Sequence, residues 1–232
     1  MKRTVLALLL VGTAAGAYWI TRPAFFDTGA PLVASSGPVK LLDDLNTEAL
    51  TEGWGHRTFF RVTPAEYRML NENGKDVLQC GTDNSASILA RDTRIALADL
   101  PILSWRWKVT QPISSNIDEA TKEGDDHPVR FFLQFSDDTG ENRSMEIIWS
   151  NKKFAPGEYK IIGSFLHYVA NGLDENTQKW HEHSVDLRQL YKDIGGTGIG
   201  TLETLGFFCD SDNTGAYSEG YFSDIQLSAQ SQ

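Results

Sequence analysis

The acidic segment of residues 117–130 concentrates side chains that could take part in chemistry. Asp125 and Asp126 directly precede His127, and further acids lie upstream. Several carboxylates in one loop could ligate a hard cation such as calcium, and His127 could act as a general base. The alternative is structural, because turn aspartates often cap backbone amides or pair with a nearby arginine, here Arg130 or Arg106. We expect Asp125 and Asp126 to contact either a ligand or one of these arginines.

A second polar loop, residues 210–215, contains Asp212 and Asn213. Its Asp-x-Asp-Asn-x-Gly order is similar to part of a calcium loop but lacks the closing glutamate. A turn formed by Asn213 and Gly215 is therefore the favoured interpretation. Although the two loops are far apart in sequence, we predict that they meet over the same end of one sheet.

The segments beside these loops alternate between apolar and polar residues, as strands do. In residues 104–109 the tryptophans occupy one face and Arg106 and Lys108 the other, because successive strand side chains point to opposite sides. Arg130 and Glu146 alternate in the same way, although Glu146 could also serve in a cross-strand ion pair. We predict one polar face that carries the ligand site. The predicted ligand-binding residues are Arg106, Lys108, Asp125, Asp126, Arg130, Glu146, Asp212 and Asn213.

Several catalytic and metal-binding signatures are absent from the sequence. It has no Cys-x-x-Cys, Gly-x-Ser-x-Gly or Walker phosphate motif, which argues against redox thiols, nucleophile-elbow hydrolases and P-loop nucleotide chemistry. His181 and His183 have the spacing of transition-metal ligands, but no third ligand is identifiable. Two carboxylates across a groove could hydrolyse glycosides, and Glu146 is the acid expected deepest in such a groove.

From residue 57 onward the chain consists of short period-2 runs separated by turn residues, which is typical of antiparallel all-β domains. Asn73-Gly74 between two such runs predicts a hairpin. We predict an all-β, jelly-roll-like antiparallel β-sandwich with one or two short helices, at residues 187–194 and 42–50. The predicted core residues are Trp105, Trp107, Phe131, Leu133, Phe135, Met145, Ile147 and Trp149.

The N-terminus has the features of an export signal. Two basic residues precede an apolar stretch over residues 5–17, and the small residues at 15–17 fit a cleavage site. An uncleaved anchor is the alternative, since Tyr18-Trp19-Ile20 extends the apolar run. We expect a periplasmic or secreted protein. The predicted organisation is a signal peptide or anchor over residues 1–17, a linker over 18–40 and a β-sandwich domain over 41–232.

Charge and cysteine content restrict the partners and the compartment. The formal net charge of −10 opposes binding to nucleic acid and to anionic membrane surfaces, which require basic patches. We expect no nucleic-acid partner, and membrane contact only through an uncleaved N-terminal anchor. An oxidising compartment would permit a disulfide between Cys80 and Cys209, whereas two buried free thiols are the alternative.

A set of motifs extends over residues 103–227. They are Ser104-Trp105-Arg106-Trp107-Lys108-Val109, the acidic stretch from Asp118 to Asp126, Arg130, Trp149-Ser150, Asp212-Asn213-Thr214-Gly215 and Tyr221-Phe222-x-Asp224-Ile225. Together they resemble an uncharacterised family of bacterial exported proteins, the domain of unknown function numbered three-zero-four-seven, which implies no activity. The last motif also resembles the final strand of galactose-binding-like and carbohydrate-binding jelly rolls. By that analogy Asp224 is a candidate metal ligand.

The leading hypothesis is an exported, non-catalytic β-sandwich of the bacterial cell envelope that binds a carbohydrate or a similar polar or anionic ligand. Arginine and lysine side chains favour such ligands through forked or point-charge hydrogen bonds. A polysaccharide-active jelly-roll enzyme, either a lyase or a glycoside hydrolase, is the first alternative, and an envelope scaffolding protein is the second. We expect no cofactor, with calcium as the one exception that the carboxylates leave open.

Overall fold

A computed structural model describes residues 27–34 and 37–229 of the chain. Strands dominate these residues and form two sheets, so the predicted all-β sandwich of the jelly-roll kind is confirmed. The predicted signal or anchor, residues 1–17, lies outside the described residues. No helix in the described part of the chain is long and apolar enough to cross a membrane.

The larger sheet has eight strands. They are β1 (Leu32–Val33), β3 (Trp54–Thr58), β6 (Ala86–Ala96), β8 (Arg130–Ser136), β9 (Asn142–Ser150), β10 (Tyr159–Ile162), β11 (Phe165–Gly172) and β13 (Thr201–Asp210). Their order is β1-β6-β13-β8-β9-β11-β10, and β3 also pairs with β6. The β1–β6 and β9–β11 pairs are parallel, and the other pairs are antiparallel.

The smaller sheet has six strands and is antiparallel throughout. They are β2 (Val39–Lys40), β4 (Glu66–Glu72), β5 (Lys75–Asp83), β7 (Ile102–Gln111), β12 (His181–Asp186) and β14 (Tyr217–Ser228). Their order is β12-β7-β14-β5-β4, and β2 also pairs with β14. The predicted hairpin turn joins β4 to β5, where Asn73 and Gly74 have φ values of 56° and 82°, as a type I′ turn requires.

The main core lies between the two sheets, where alternate side chains of the facing strands meet. All eight predicted core residues are at most 1 % exposed. Trp107 of β7 stacks on Phe131 of β8 with ring centroids 6.0 Å apart. A disulfide between Cys80 of β5 and Cys209 of β13 also crosses this core, so the structure favours the bridge over two free thiols.

One α-helix occurs in the described residues, α1 (Leu187–Asp193). It forms where predicted, because Asp186 caps it by accepting a hydrogen bond from the Arg188 amide at 2.9 Å. Short 3-10 turns lie at Lys122–Gly124 and Asp174–Asn176. The helix predicted over residues 42–50 is wrong.

Residues 42–50 form turns and bends instead of a helix. Leu42 and Leu45 are buried in the main core, and the Asn46 side chain accepts hydrogen bonds from the amides of Glu48 and Ala49. An asparagine that bonds to nearby amides offers the backbone an alternative to helix formation. The leucine spacing therefore reflects packing of a loop against the core.

The described part of the predicted linker contributes to the sandwich. Within residues 18–40, β1 pairs with β6 of the larger sheet, and β2 pairs with β14 of the smaller one. These two short strands place the chain against both sheets before residue 41.

The segment after β3 covers part of the outer face of the eight-stranded sheet. A second apolar cluster lies there and contains Phe132 and Phe208, with Phe59, Val62 and Phe165 packed against it. This cover explains why Phe132 interrupts the polar side of its strand. Charged side chains on this face are consequently held away from solvent.

Candidate functional site

The polar residues next to core residues in β7 and β8 point away from the core, towards the outer face of their own sheet. Because Trp107 and Phe131 meet between the sheets, their strand neighbours project away from each other. Arg106 and Lys108 lie on the outer face of the six-stranded sheet, whereas Arg130 lies on the outer face of the eight-stranded sheet. The prediction of one shared polar face is therefore wrong. Strand alternation shows that a residue points away from the core, but not on which side of a two-layer sandwich.

The outer face of the eight-stranded sheet carries a set of charged and imidazole side chains that we call the buried network. Its members are Asp125, His127, Arg130, Glu146, Lys160, His167 and Asp210. Arg130 Nη1 donates to Glu146 Oε2 at 2.8 Å, and Nη2 donates to Asp210. The guanidinium carbon also lies 3.8 Å from the centre of the Phe208 ring. Arg130 and Glu146 are only 2 % and 5 % exposed, so this pair is closed to a ligand.

Lys160 joins the acidic loop to the edge of the same sheet. Its fully buried Nζ donates to Asp125 Oδ1 at 2.6 Å and to His127 Nε2 at 2.9 Å. His127 Nδ1 lies 2.8 Å from the Trp149 carbonyl oxygen. Because that oxygen can only accept, Nδ1 carries the proton and Nε2 accepts from Lys160.

His127 is consequently a poor general base. Burial, reinforced by the charge of Lys160, lowers the pKa of His127 to about 3. The ring is therefore neutral at neutral pH, and its single basic nitrogen is already engaged by Lys160. Its role in this geometry is to hold the loop to the sheet.

Asp126 connects the two polar loops. Its Oδ2 accepts from the Thr214 amide at 2.7 Å and from Thr214 Oγ1 at 2.6 Å, and its Oδ1 accepts from the Asn213 amide at 3.3 Å. Asp126 is fully buried. The predicted convergence of residues 117–130 with residues 210–215 is confirmed, and Asn213 contributes a backbone amide to it.

Asp126, Asp210 and Asp212 form the one group of three potential metal ligands among the described residues, with oxygens within 4.8 Å of one another. Protein donors already engage two of the three carboxylates. Arg130 and the His127 amide bind Asp210, and Thr214 and Asn213 bind Asp126. Burial and the charge of Asp126 raise the pKa of Asp212. These contacts account for the convergence of Asp126 and Asp210 by hydrogen bonding within the protein.

Glu119 fixes the other side of the acidic loop. Its carboxylate accepts from the backbone amides of Asn151, Lys152 and Lys153 at 2.9, 2.9 and 3.1 Å. No side-chain pattern could have revealed these contacts, because their donors are backbone amides distant in sequence. The acidic loop is thus held mainly by its own carboxylates. The predicted pairing of Asp125 or Asp126 with an arginine is wrong, because Lys160 bonds to the Asp125 carboxylate, and Thr214 and Asn213 bond to that of Asp126.

The outer face of the six-stranded sheet carries an open polar groove of about 730 Å³, which we call the Arg106 groove. Strands β7, β12 and β14, the β4–β5 turn and residues 40–43 surround it. Its lining includes Lys40, Asp43, Lys75, Asp76, Ser104, Arg106, Glu182, His183, Ser184, Asp224 and Gln226. The groove therefore offers both hydrogen-bond donors and acceptors to solvent.

Asp224 lies at an irregularity of β14, where the pairing register with β7 shifts between Ser223 and Gln226. Its φ of 53° is left-handed, and such irregularities re-aim side chains. The carboxylate accepts from Lys75 at 2.7 Å and from Arg106 at 3.3 Å. Burial raises the pKa of Asp224, but these two cations outweigh it, so the net shift is downward. The predicted metal ligand thus pairs with two cations.

Trp180 lies beside the groove, next to Arg106 and Lys108. Arg106 lies 5.1 Å and Lys108 Nζ lies 4.8 Å from the centre of its ring, and Lys108 Nζ is 4.4 Å from that of Tyr221. Tyr221 donates to Glu219 at 2.7 Å. Trp180 was not among the predicted site residues, since its position beside Arg106 and Tyr221 depends on the pairing of β7 with β12 and β14.

Of the predicted site residues, the structure places Arg106 and Asp224 in the Arg106 groove and Lys108 beside it. It places the others in or beside the buried network: Asp125, Asp126, Arg130, Glu146, Asp212 and Asn213. Lys75 and Glu182 belong to the groove but were not predicted. Lys75 reaches the groove because the chain turns between β4 and β5, and Glu182 reaches it because β12 pairs with β7 so that Glu182 lies opposite Arg106.

Comparison with solved structures finds proteins of low similarity to this chain. The xyloglucanase domain of NopAA, a type three effector from Sinorhizobium fredii solved in complex with cellobiose, has a TM-score of 0.43 and 11 % identity over 76 % of this chain and 93 % of that one. The enzymatically active domain of tailspike protein 4 from bacteriophage CBA120 has a TM-score of 0.39 and 10 % identity, over 76 % of this chain and 19 % of that one. The family 11 xylanase from Neocallimastix patriciarum has a TM-score of 0.32 and 11 % identity, over 78 % of this chain and 91 % of that one.

At the level of sequence, no curated protein matches the chain significantly. A family profile does match, over residues 52–226, and its description is "Protein of unknown function (DUF3047)". The matched range includes both the buried network and most of the Arg106 groove.

Proposed function

The chain belongs to this family of proteins of unknown function, and on that premise we propose that it binds a hydroxyl-rich polar ligand of the carbohydrate type in the Arg106 groove. The observation that carries the proposal is the open groove of about 730 Å³ around Arg106. Small-molecule sites have volumes of roughly 300–1,000 Å³ and a few convergent polar groups. The groove has both properties.

The chemistry of the groove suits a ligand with many hydroxyl groups. Arg106 and Lys75 present donors, and Asp224 and Glu182 present acceptors, on the same wall. A sugar hydroxyl both donates and accepts, so it can bond to each kind of group. Trp180 adds a partly buried ring next to Arg106, and aromatic rings pack well against the apolar faces of sugars.

The contrast with the buried network supports a binding role over a catalytic one. Glu146 and His127, the two residues nominated for acid–base chemistry, are 5 % and 0 % exposed. Both are also engaged by cationic partners, Arg130 and Lys160 respectively. A general acid or base must lie within hydrogen-bond reach of the substrate, and these two groups offer no such access.

We also propose that the protein is exported to the periplasm or secreted. The N-terminal sequence with two basic residues and an apolar stretch supports this. The Cys80–Cys209 bridge supports it independently, since structural disulfides persist in oxidising compartments. Cell fractionation, with thiol labelling of the denatured protein, tests the proposal; soluble cytoplasmic protein with two free thiols would contradict it.

A glycan array, followed by titration of the best ligands, tests the binding function. Arg106→Ala should weaken binding by about tenfold or more, because it removes the forked donor at the centre of the groove. Lys153→Ala serves as a control, since it removes an exposed cation paired with Asp118 outside the groove. Failure of the wild-type protein to bind any glycan, or equal affinity in Arg106→Ala and wild type, would contradict the proposal.

A further inference from the structure

We infer that the Arg106 groove takes an uncharged, hydroxyl-rich ligand and disfavours anionic ones such as uronates or phosphorylated sugars. The inference rests on the proposed binding function and narrows its ligand class. It narrows the expectation from sequence, in which the arginines and the lysine of the predicted site favoured an anionic or heavily hydroxylated ligand. The reason lies in how the groove pairs its own charges.

The cations at the centre of the groove are already neutralised by carboxylates. Lys75 pairs with Asp224 at 2.7 Å, and Arg106 pairs with Asp224 at 3.3 Å and with Glu182 at 3.4 Å. Lys108, beside the groove, lies 3.8 Å from Glu72. An anionic ligand could bind Arg106 closely only by displacing Asp224 or by approaching it, and like charges at short distance repel.

The summed charge of the groove also disfavours an anionic ligand. Its lining contains three cations, Lys40, Lys75 and Arg106, against four carboxylates, Asp43, Asp76, Glu182 and Asp224. The groove thus carries one net negative charge in a chain whose formal charge is −10. Long-range attraction therefore does not favour an anion.

Ion-paired side chains can nevertheless form hydrogen bonds with a neutral polyol. The Arg106 and Asp224 side chains are 25 % and 40 % exposed, so each keeps polar atoms open to solvent while contacting the other. The Arg106 Nε is buried and lies 3.4 Å from Glu182 Oε1, so a ligand would have to bond to the terminal nitrogens of this side chain. A hydroxyl oxygen could accept from this guanidinium while its hydrogen bonds to a carboxylate, without disturbing the ion pairs.

Matched pairs of oligosaccharides test the inference. Neutral cello- and galacto-oligosaccharides are compared with the corresponding uronates, using intrinsic fluorescence as the binding signal. Among the described tryptophans, Trp180 is the one that is not buried, and its ring centre lies 5.1 Å from the Arg106 guanidinium carbon. A ligand-dependent emission change that is lost in Trp180→Phe therefore reports on binding beside Arg106. Each titration is repeated from about 20 mM to about 500 mM NaCl, a range over which screening changes strongly.

The expected result is binding of a neutral sugar that changes less than about twofold with salt, with the matched uronate bound about tenfold more weakly. Asp224→Asn should improve uronate affinity relative to the neutral sugar by about tenfold, because it removes the repelling carboxylate. Asparagine tolerates the left-handed backbone at this position, so the variant is expected to fold.

Tighter binding of the uronate, weakened by salt, would overturn the inference while leaving the proposed binding function in place. So would an Asp224→Asn variant with unchanged preference. Absence of binding by both members of every pair would instead defeat the proposed function itself. The two failures are therefore distinguishable.

Discussion

The two outer faces of the sandwich use the same residue types in opposite ways. On the eight-stranded sheet, Arg130 is 2 % exposed and binds two carboxylates beneath covering loops. On the six-stranded sheet, the Arg106 side chain is 25 % exposed and borders a groove. A buried charge is tolerated only when its partners satisfy it, whereas a charge at the edge of water can accept a new partner. Burial, rather than residue type, therefore separates the enclosed arginine from the one that borders the open groove.

The largest expected effect is the loss of stability when Arg130 is removed. Arg130→Ala should lower the free energy of unfolding by about 3–5 kcal/mol, because Glu146 and Asp210 would remain buried without their cation. Arg106→Ala should change it by less than about 1 kcal/mol, since its ion pairs are partly exposed. Urea unfolding measures both values. Equal losses in the two variants would remove the distinction between the faces.

The second prediction concerns the pH dependence of the buried network. The pKa of His127 is lowered from 6.5 to about 3 in the folded state. Below pH 6.5 the unfolded chain therefore binds a proton that the folded protein does not, so the stability from this group is present above that pH and is lost as the pH falls toward 3. From pH 7 to pH 5 this loss should be about 2 kcal/mol.

Chemical denaturation across that range, with His127→Asn as the comparison, checks the second prediction. Between pH 7 and pH 5, the free energy of unfolding of the variant should fall by about 2 kcal/mol less than that of the wild type. The Lys153→Ala control should show the same pH dependence as the wild type. Parallel curves for wild type and His127→Asn would show that a charged His127 is accommodated in the folded protein, contrary to its pairing with Lys160.

The smallest effect is expected at Asp224. Asp224→Gly removes two partly exposed ion pairs, with Lys75 and Arg106, but relieves a left-handed φ of 53°. These contributions are each about 1 kcal/mol or less and oppose each other, so the thermal midpoint should change little while the ligand preference changes. A stability loss as large as that of Arg130→Ala would class Asp224 with the buried network.

The elements of the fold were predictable where a local pattern has a single structural meaning. Alternation at Trp105 and Trp107 identified the core face of β7, and Asn73-Gly74 identified the β4–β5 turn, because both signals depend only on neighbouring residues. The pattern failed over residues 42–50, where Leu42 and Leu45 are apolar because they enter the core from a loop. Periodicity alone does not distinguish an amphipathic helix from a loop whose leucines pack into the core.

The candidate site was predictable only in part. The convergence of the loops around Asp126 followed from their positions at strand ends, and Arg106 and Lys108 were correctly placed on a polar strand face. The groove partners Lys75 and Glu182 were not found, because they reach Arg106 and Asp224 through strand pairing across the sheet. Their neighbours in the sequence do not indicate which strands pair or in what register.

The class of the fold, the inward and outward alternation of its strands and the residues of its core can be deduced from the sequence alone. These properties follow from side-chain chemistry and the two-residue repeat of a strand. The opposite orientation of Arg106 and Arg130, the burial of Arg130 and the exposure of Arg106 at a groove become apparent only once the two sheets are packed together. The physical reason is that burial is a property of what packs against a side chain, and the covering segments come from parts of the chain distant in sequence.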